Sequence, residues 1–206
     1  MIKEELLLYL ITDSGELKGR RLYDAVTDAI KGGITILQYR EKHLPYENRK
    51  QEAVELLNLC HKNNIKLIIN DDVLLAKEID ADGVHVGQSD MGVFEARKIL
   101  GKNKIIGATA KTVEQAKKAE KFGADYLGSG AVFGSSTKKD ALPMSVENLE
   151  EICQSVNIPV VAIGGINIGN VQKLKNTGIA GVAVISGILG FDDIKEITEK
   201  FVKILK

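Results

Sequence analysis

The residues in this sequence best suited to chemistry are cations, carboxylates and glycines. Arg40 and Lys42 stand two apart in QYREK, Lys138 falls in STKKD, Asp71 follows Asn70 in INDD, and Asp90 closes GQSD. A guanidinium grips phosphate oxygens in a planar fork, and a lysine ammonium adds a mobile point charge. Two carboxylates delivered singly from separate segments leave room for waters and phosphate oxygens, an arrangement that suits Mg2+ far better than zinc. The same aspartates have a second reading: Asp71 or Asp72, and Asp90, can each cap a following helix, and position alone weighs the two readings equally. Lys138 and Lys139 taken alone read as solvated surface charges. Arg40 and Lys42 directly after an apolar run are harder to dismiss, and together they point to a diphosphate.

Glycine supplies the other half of the pattern. The chain holds 20 glycines against three prolines and no tryptophan, yet no glycine-rich linker. Gly164-Gly165 in IGGI and Ile185-Ser186-Gly187 in VISGI let backbone N–H groups approach an anion closely, although a tight strand-to-helix turn needs glycine as well. Ser135, Ser136 and Thr137 add hydroxyl donors for the same phosphate, so one site would hold two phosphorylated groups. Only His43, His61 and His85 occur, without metal-binding spacing, and there is no GxSxG. His61 reads as a surface residue late in a helix and His85, within GVHVG, as a barrel-interior residue. General acid–base catalysis by histidine is therefore not the expected mechanism.

These residues need a frame that brings distant segments together. Short apolar runs at 7–13, 35–40, 66–71, 83–87, 104–110, 124–130, 158–164 and 181–186 alternate with amphipathic stretches, and runs such as KLIIND and IPVVAIGG read as strands buried on both faces. Thr112 and Gln115 have capping-box spacing before a helix that stops at Gly123, and Ser145 is the expected N-cap of a helix burying Leu149, Ile152, Cys153 and Val156. Eight strand–helix units in 206 residues predict an α/β fold, a single-domain (β/α)8 TIM barrel spanning 1–206. An open doubly wound sheet is the competitor, weakened by the absence of GxGxxG after the first strand. In a barrel every candidate above follows a strand, at the carboxyl-terminal mouth where active sites lie.

Composition narrows the function classes. Lys plus Arg and Asp plus Glu both number 28, for a formal net charge of zero, which argues against a nucleic-acid binder that neutralises many phosphates. No run of 18 apolar residues exists, and MIKEELLLYLITD is neither a membrane span nor a signal peptide. Cys60 and Cys153 lack any paired spacing and read as small hydrophobes of a reduced, cytoplasmic protein. Small phosphorylated molecules are the expected partners, with neither nucleic acid nor membrane. A homo-oligomer is compatible with the sequence.

LYLITD, QYREK, INDD, DGVHVGQSD, ATAKT, ADYLGSGAVF, STKKD, IGGI and VISGI together resemble, in order and spacing, the motifs of the thiamine phosphate synthase family, over roughly residues 9–188. The resemblance implies a (β/α)8 barrel that joins hydroxymethylpyrimidine diphosphate to thiazole phosphate (4-methyl-5-(2-phosphoethyl)thiazole or its carboxylated form) and releases pyrophosphate. It further implies pyrimidine-diphosphate binding by Gln38, Tyr39, Arg40, Glu41, Lys42, Asn70, Thr109 and Lys138. Mg2+ would then sit on Asp71 and Asp90, and thiazole phosphate on Ser135, Ser136, Thr137, Gly165, Ile185 and Ser186. Arg40, Lys42 and Lys138 would stabilise the departing diphosphate while the thiazole nitrogen captures a pyrimidine methyl cation.

Four positions depart from the commoner family pattern. Gly134 stands where proline is frequent, Ser135 where threonine is, Thr109 where serine is, and Lys111 where histidine is. The hydroxyl exchanges keep a donor and an acceptor. A related thiazole tautomerase uses a histidine near position 111, so Lys111, with both aspartates and Lys138 retained, favours the synthase. A metabolite sensor, the non-enzyme alternative, could lose the leaving-group residues, which are all present here. The segment 133–143, with little apolar anchoring, is the expected mobile cover.

Overall fold

Eight short strands close on themselves in sequence order, each parallel to its neighbours: β1 (Leu8–Ile11), β2 (Ile36–Tyr39), β3 (Lys66–Asn70), β4 (Gly83–Val86), β5 (Ile105–Thr109), β6 (Tyr126–Gly130), β7 (Val160–Ile163) and β8 (Gly181–Val184). This computed structural model describes residues 2–134 and 143–206. β1 pairs with both β2 and β8, which closes the (β/α)8 barrel. All eight predicted strands are present, each shorter than its apolar run, because several end residues turn out of the ladder into the loops that carry the site.

The helices lie outside. In chain order they are α1 (Leu22–Gly32), α2 (Tyr46–Lys62), α3 (Val73–Glu78), α4 (Val93–Leu100), α5 (Val113–Lys121), α6 (Val146–Ser155), α7 (Ser186–Leu189) and α8 (Ile194–Leu205). The seventh crossover is a 3-10 turn, Val171–Leu174, and the eighth strand is followed by two helices, so the alternation holds in number with one redistribution. The predicted start signals operate. Thr112 Oγ1 accepts from the Gln115 N–H and Ser145 Oγ from the Asn148 N–H. The Gln115 side chain reaches back one residue further than a capping box requires, accepting from the Lys111 N–H at 2.7 Å.

Two cores result from the strand period of two. Outward side chains such as Leu10, Leu37, Leu67, Ile69 and Leu127 pack beneath the helices, while Tyr9, Ile36, Ile68, Tyr126, Val161 and Ala183 fill the barrel. Cys60 is buried and Cys153 half-buried, both free, and burial raises both thiols. Among the described residues no helix is long and apolar enough to cross a membrane.

Candidate active site

Strand alternation decides which predicted residues face the mouth. Gln38 and Arg40 point inward from β2 and line a cavity of about 500 Å3, while Tyr39 between them points outward and its hydroxyl donates to Glu52 Oε2 of α2 at 2.7 Å. The structure therefore does not bring the Tyr39 side chain to the cavity, a correction that the alternation of Gln38 and Arg40 already signals. Lys42, Asn70 and Thr109 line the same cavity, as do Gly164, Gly165, Ile185 and Ser186 from the far side.

Arg40 differs from the free rim cation expected of it. Its side chain is only 10% exposed and forms an ion pair with Asp13, which follows β1. Thr12 fixes the backbone there: the Arg40 N–H donates to Thr12 Oγ1 at 2.8 Å, and that hydroxyl donates to the Arg40 carbonyl at 3.0 Å. The buried Arg40 Nε has no partner among the described residues, a donor held in reserve beside the cavity. Asp13 escaped sequence reasoning because its partner lies 27 residues away. Its place at the end of β1 was the available signal. Glu41 lines the second, neighbouring cavity and not the barrel cavity. Burial works to raise its carboxyl, but the His43 N–H, the Ser14 hydroxyl and the Lys42 N–H outweigh it and hold the group below the usual glutamate value.

Of the aspartates the sequence left open as caps or metal ligands, one is a helix cap and two are not. Asp72 is the cap of α3, accepting from the Leu75 N–H at 2.9 Å, and Arg49 lies 3.6 Å from its other oxygen. Asp71, at φ 63°, caps nothing; its carboxyl meets that of Asp90 instead. Asp90 is not a helix cap either: α4 is preceded by Gly92, and Asp90 Oδ2 accepts from the Gly87 N–H at 2.7 Å. Burial, and then the hydrogen bond and charge of Asp90, push the Asp71 carboxyl up to about 6, against the opposing pull of Asn70 and Lys42. Two half-buried carboxylates so close repel unless a cation joins them. No cluster of three or more His, Cys, Asp or Glu suited to a metal exists among the described residues. A two-carboxylate site that leaves positions for water and phosphate is what Mg2+ takes. Lys42 and Asn70 are shared with a second cavity of about 490 Å3 that also contains Asp71, Asp72 and Arg49.

The opposite side of the mouth is built from backbone. Gly164 and Gly165 have φ of 103° and 62°, and a Cβ added at Gly165 would fall 2.3 Å from the Phe133 carbonyl oxygen. The Asn170 and Asn167 side-chain amides both donate to the Gly165 carbonyl, at 2.9 and 3.3 Å, so the cradle is held from behind. Ile185 precedes α7, whose first N–H groups at Ser186 and Gly187 have no intrahelical acceptor. Ser135, Ser136, Thr137 and Lys138, and the interior of the segment 133–143, lie outside the described residues.

Several residues that line the cavity were not among the expected contacts. Lys111 adds a cation after β5, and Tyr9 and Tyr126 form part of the floor. Inward alternation on β1 and β6 was the signal for the tyrosines.

A closed parallel barrel with charged and glycine-built positions gathered at its carboxyl-terminal mouth belongs to the (β/α)8-barrel class that carries its site there. The family model described as thiamine monophosphate synthase matches residues 8–188. The thiamine-phosphate synthase of Clostridium tetani is 50% identical over 193 residues, covering 94% of this chain and 92% of that protein. Thiamine phosphate pyrophosphorylase from Pyrococcus furiosus has a solved structure that superimposes with a TM-score of 0.92 at 40% identity, covering 100% of this chain and 98% of that one. The chain belongs to the thiamine monophosphate synthase family. (S)-3-O-geranylgeranylglyceryl phosphate synthase from Thermoplasma acidophilum, solved with sn-glycerol-1-phosphate, shares the fold alone: TM-score 0.74 at 14% identity, covering 100% of this chain and 96% of that one.

Proposed function

We propose that this chain is a thiamine phosphate synthase, a transferase that joins the pyrimidinylmethyl group of 4-amino-2-methyl-5-(diphosphooxymethyl)pyrimidine to a thiazole phosphate. The observation that carries the reading is the division of one mouth into a side of charged side chains and a side of backbone. Arg40 and Lys42 face the Gly164-Gly165 and Ile185-Ser186 backbone across a single cavity, and the Asp71–Asp90 pair lies beside it, Asp71 on the second cavity that shares Lys42 and Asn70. Family membership supplies the substrate names.

In this reading the diphosphate lies against Arg40 and Lys42, with Lys138 as a further cation, and the pyrimidine ring lies deeper against Gln38, Asn70 and Thr109. Asp71 and Asp90 would hold Mg2+, which when bound supplies positive charge to the leaving diphosphate. The methylene C–O bond breaks with its electron pair going to the diphosphate oxygen. The lone pair of the thiazole nitrogen then forms the C–N bond, giving thiamine phosphate and pyrophosphate. Ser135 to Thr137, Gly165, Ile185 and Ser186 anchor the thiazole phosphate so that its nitrogen faces the methylene carbon. Arg40 is fixed in advance by Asp13 and Thr12, so little reorganisation accompanies charge development. No step needs a general base. Phosphorylated substrates and two free cysteines support a cytoplasmic enzyme that engages neither nucleic acid nor membrane.

Purified protein given both substrates with Mg2+ is expected to form thiamine phosphate and pyrophosphate in equal amounts, and to stop when the metal is chelated. No product with Mg2+ present overturns the proposal.

A further inference from the structure

Below the charged mouth, five side chains cross the barrel in one unbroken line. Gln38 Nε2 donates to the Tyr9 hydroxyl at 2.9 Å, and that hydroxyl lies 2.8 Å from the Tyr126 hydroxyl. The Tyr126 hydroxyl lies 3.0 Å from His85 Nδ1, and His85 Nε2 lies 3.1 Å from Thr109 Oγ1. Both ends of the line reach the cavity. Space for the middle comes from glycine: a Cβ at Gly107 on β5 would fall 2.1 Å from Tyr126 Cζ, inside the ring's own volume.

Counting protons gives the line a direction. Burial pushes both phenols above the ordinary tyrosine value, so each keeps its single proton. Tyr9 accepts from the Gln38 amide, and its own proton goes to the Tyr126 oxygen. The Tyr126 proton then goes to His85 Nδ1, and a ring that accepts there carries its hydrogen on Nε2 and donates to Thr109 Oγ1. The Thr109 hydroxyl proton is left to point into the cavity. Turning the Gln38 amide over would reverse every bond and put the His85 proton on Nδ1, so the imidazole tautomer reports the polarity of the whole line.

We propose that Tyr9, Tyr126 and His85 are positioning residues that set the polarity of the two ring-binding ends of this line, with Gln38 presenting its carbonyl oxygen as acceptor and Thr109 its hydroxyl as donor. The matching ligand presents an N–H donor to Gln38 at one end of the line and a ring nitrogen lone pair to Thr109 at the other, and an aminopyrimidine carries both groups. This deepens the functional reading above and rests on it only for the ligand. The relay itself is a property of the free protein. Cooperative polarisation along a buried chain makes its middle matter to both ends.

Two measurements separate the relay from the function. In 15N-histidine-labelled protein at neutral pH, with His43 and His61 assigned by substitution, His85 is expected to show a pyrrole-type Nε2 and a pyridine-type Nδ1. The Nδ1–H tautomer or a cationic ring overturns the proposal, whatever the protein catalyses. In turnover assays Tyr126→Phe keeps the ring and cuts the line. KM for the pyrimidine diphosphate should rise about tenfold, the loss of one well-made hydrogen bond, with KM for the thiazole phosphate unchanged. Equal rises in both, or in neither, overturn it. If the wild type forms no thiamine phosphate, the functional reading falls and the tautomer alone decides the relay. If Tyr126→Phe does not fold, Tyr9→Phe read by the same tautomer and KM comparison takes its place.

Discussion

The two sides of the barrel mouth are built by opposite means. After β2 to β4 the site is made of side-chain charge: Arg40 tied to Asp13, Lys42, and Asp71 against Asp90. After β7 and β8 it is made of backbone, with Gly164 and Gly165 in left-handed conformations and the Gly165 carbonyl tethered by two asparagine amides. The charged side stores unfavourable electrostatics in the Asp71–Asp90 pair, which a bound cation would relieve. The backbone side stores geometry that no side chain can replace. A leaving diphosphate gains charge during reaction and calls for the first; a spectator phosphate that only anchors its substrate is served by the second.

The largest effect should come from breaking the charged side at Arg40. Arg40→Met would remove the proposed phosphate donor and leave the part-buried Asp13 without its ion-pair partner. Turnover should fall by about 10²–10³-fold, and urea melts should show a loss of roughly 3–5 kcal/mol. Turnover within tenfold of wild type would mean that the diphosphate does not lie on this side.

Next in size is the separation of Asp71 from its neighbour. Asp71→Asn should lower turnover by about 10–100-fold at limiting Mg2+. Asp72→Ala should cost about 1 kcal/mol of stability through the lost α3 cap and leave the metal requirement unchanged. Exchange of these two phenotypes would return Asp71 to structural duty.

The backbone side should respond through binding alone. At Gly165, φ 62° costs an alanine roughly 1–2 kcal/mol before the contact with the Phe133 carbonyl is counted. Gly165→Ala should therefore raise KM for the thiazole phosphate about 10–30-fold and leave KM for the pyrimidine diphosphate alone. A change confined to kcat would contradict a purely anchoring role.

The same contrast explains what could be read from the sequence. Strands were legible because residues buried on both faces leave continuous apolar runs, as in KLIIND and IPVVAIGG. The glycine side was legible by residue type, since few other residues adopt the conformations found at Gly164 and Gly165. On the charged side the residues were visible but their partners were not. Asp13 and Arg40 follow different strands, and neighbouring Asp71 and Asp72 carry the same carboxylate in surroundings that only backbone conformation separates. Tyr39 was misplaced although period-two alternation was available. The Tyr9–Tyr126–His85 line was invisible because contacts between β1, β4 and β6 depend on closure of the barrel.

The smallest effect concerns the strain kept on the charged side in the absence of metal. Burial and Asp90 hold the folded Asp71 carboxyl at about 6, above its ordinary value of 3.8. Between those two pH values the native state binds more protons than the unfolded chain. The stability tied to this group is thus complete below the lower value and is lost as pH rises through the higher one. Metal-free protein should accordingly lose thermal stability from about pH 4 to pH 6 at this site. At pH 8, where the wild type carries both charges, Asp71→Asn should raise Tm by roughly 2–4 °C, the shift expected of about 1 kcal/mol in a chain of this length. Near pH 5 the advantage should shrink, because the wild-type carboxyl then carries a proton of its own. With saturating Mg2+ at pH 8 the order should invert, since the cation stabilises only the protein that retains both carboxylates. Melting curves of the two proteins at both pH values, with Mg2+ and with chelator, decide the matter. An Asp71→Asn variant that is less stable than wild type without metal would show that the carboxylate pair supports the fold, and the contrast between the two sides of the mouth would lose its electrostatic half.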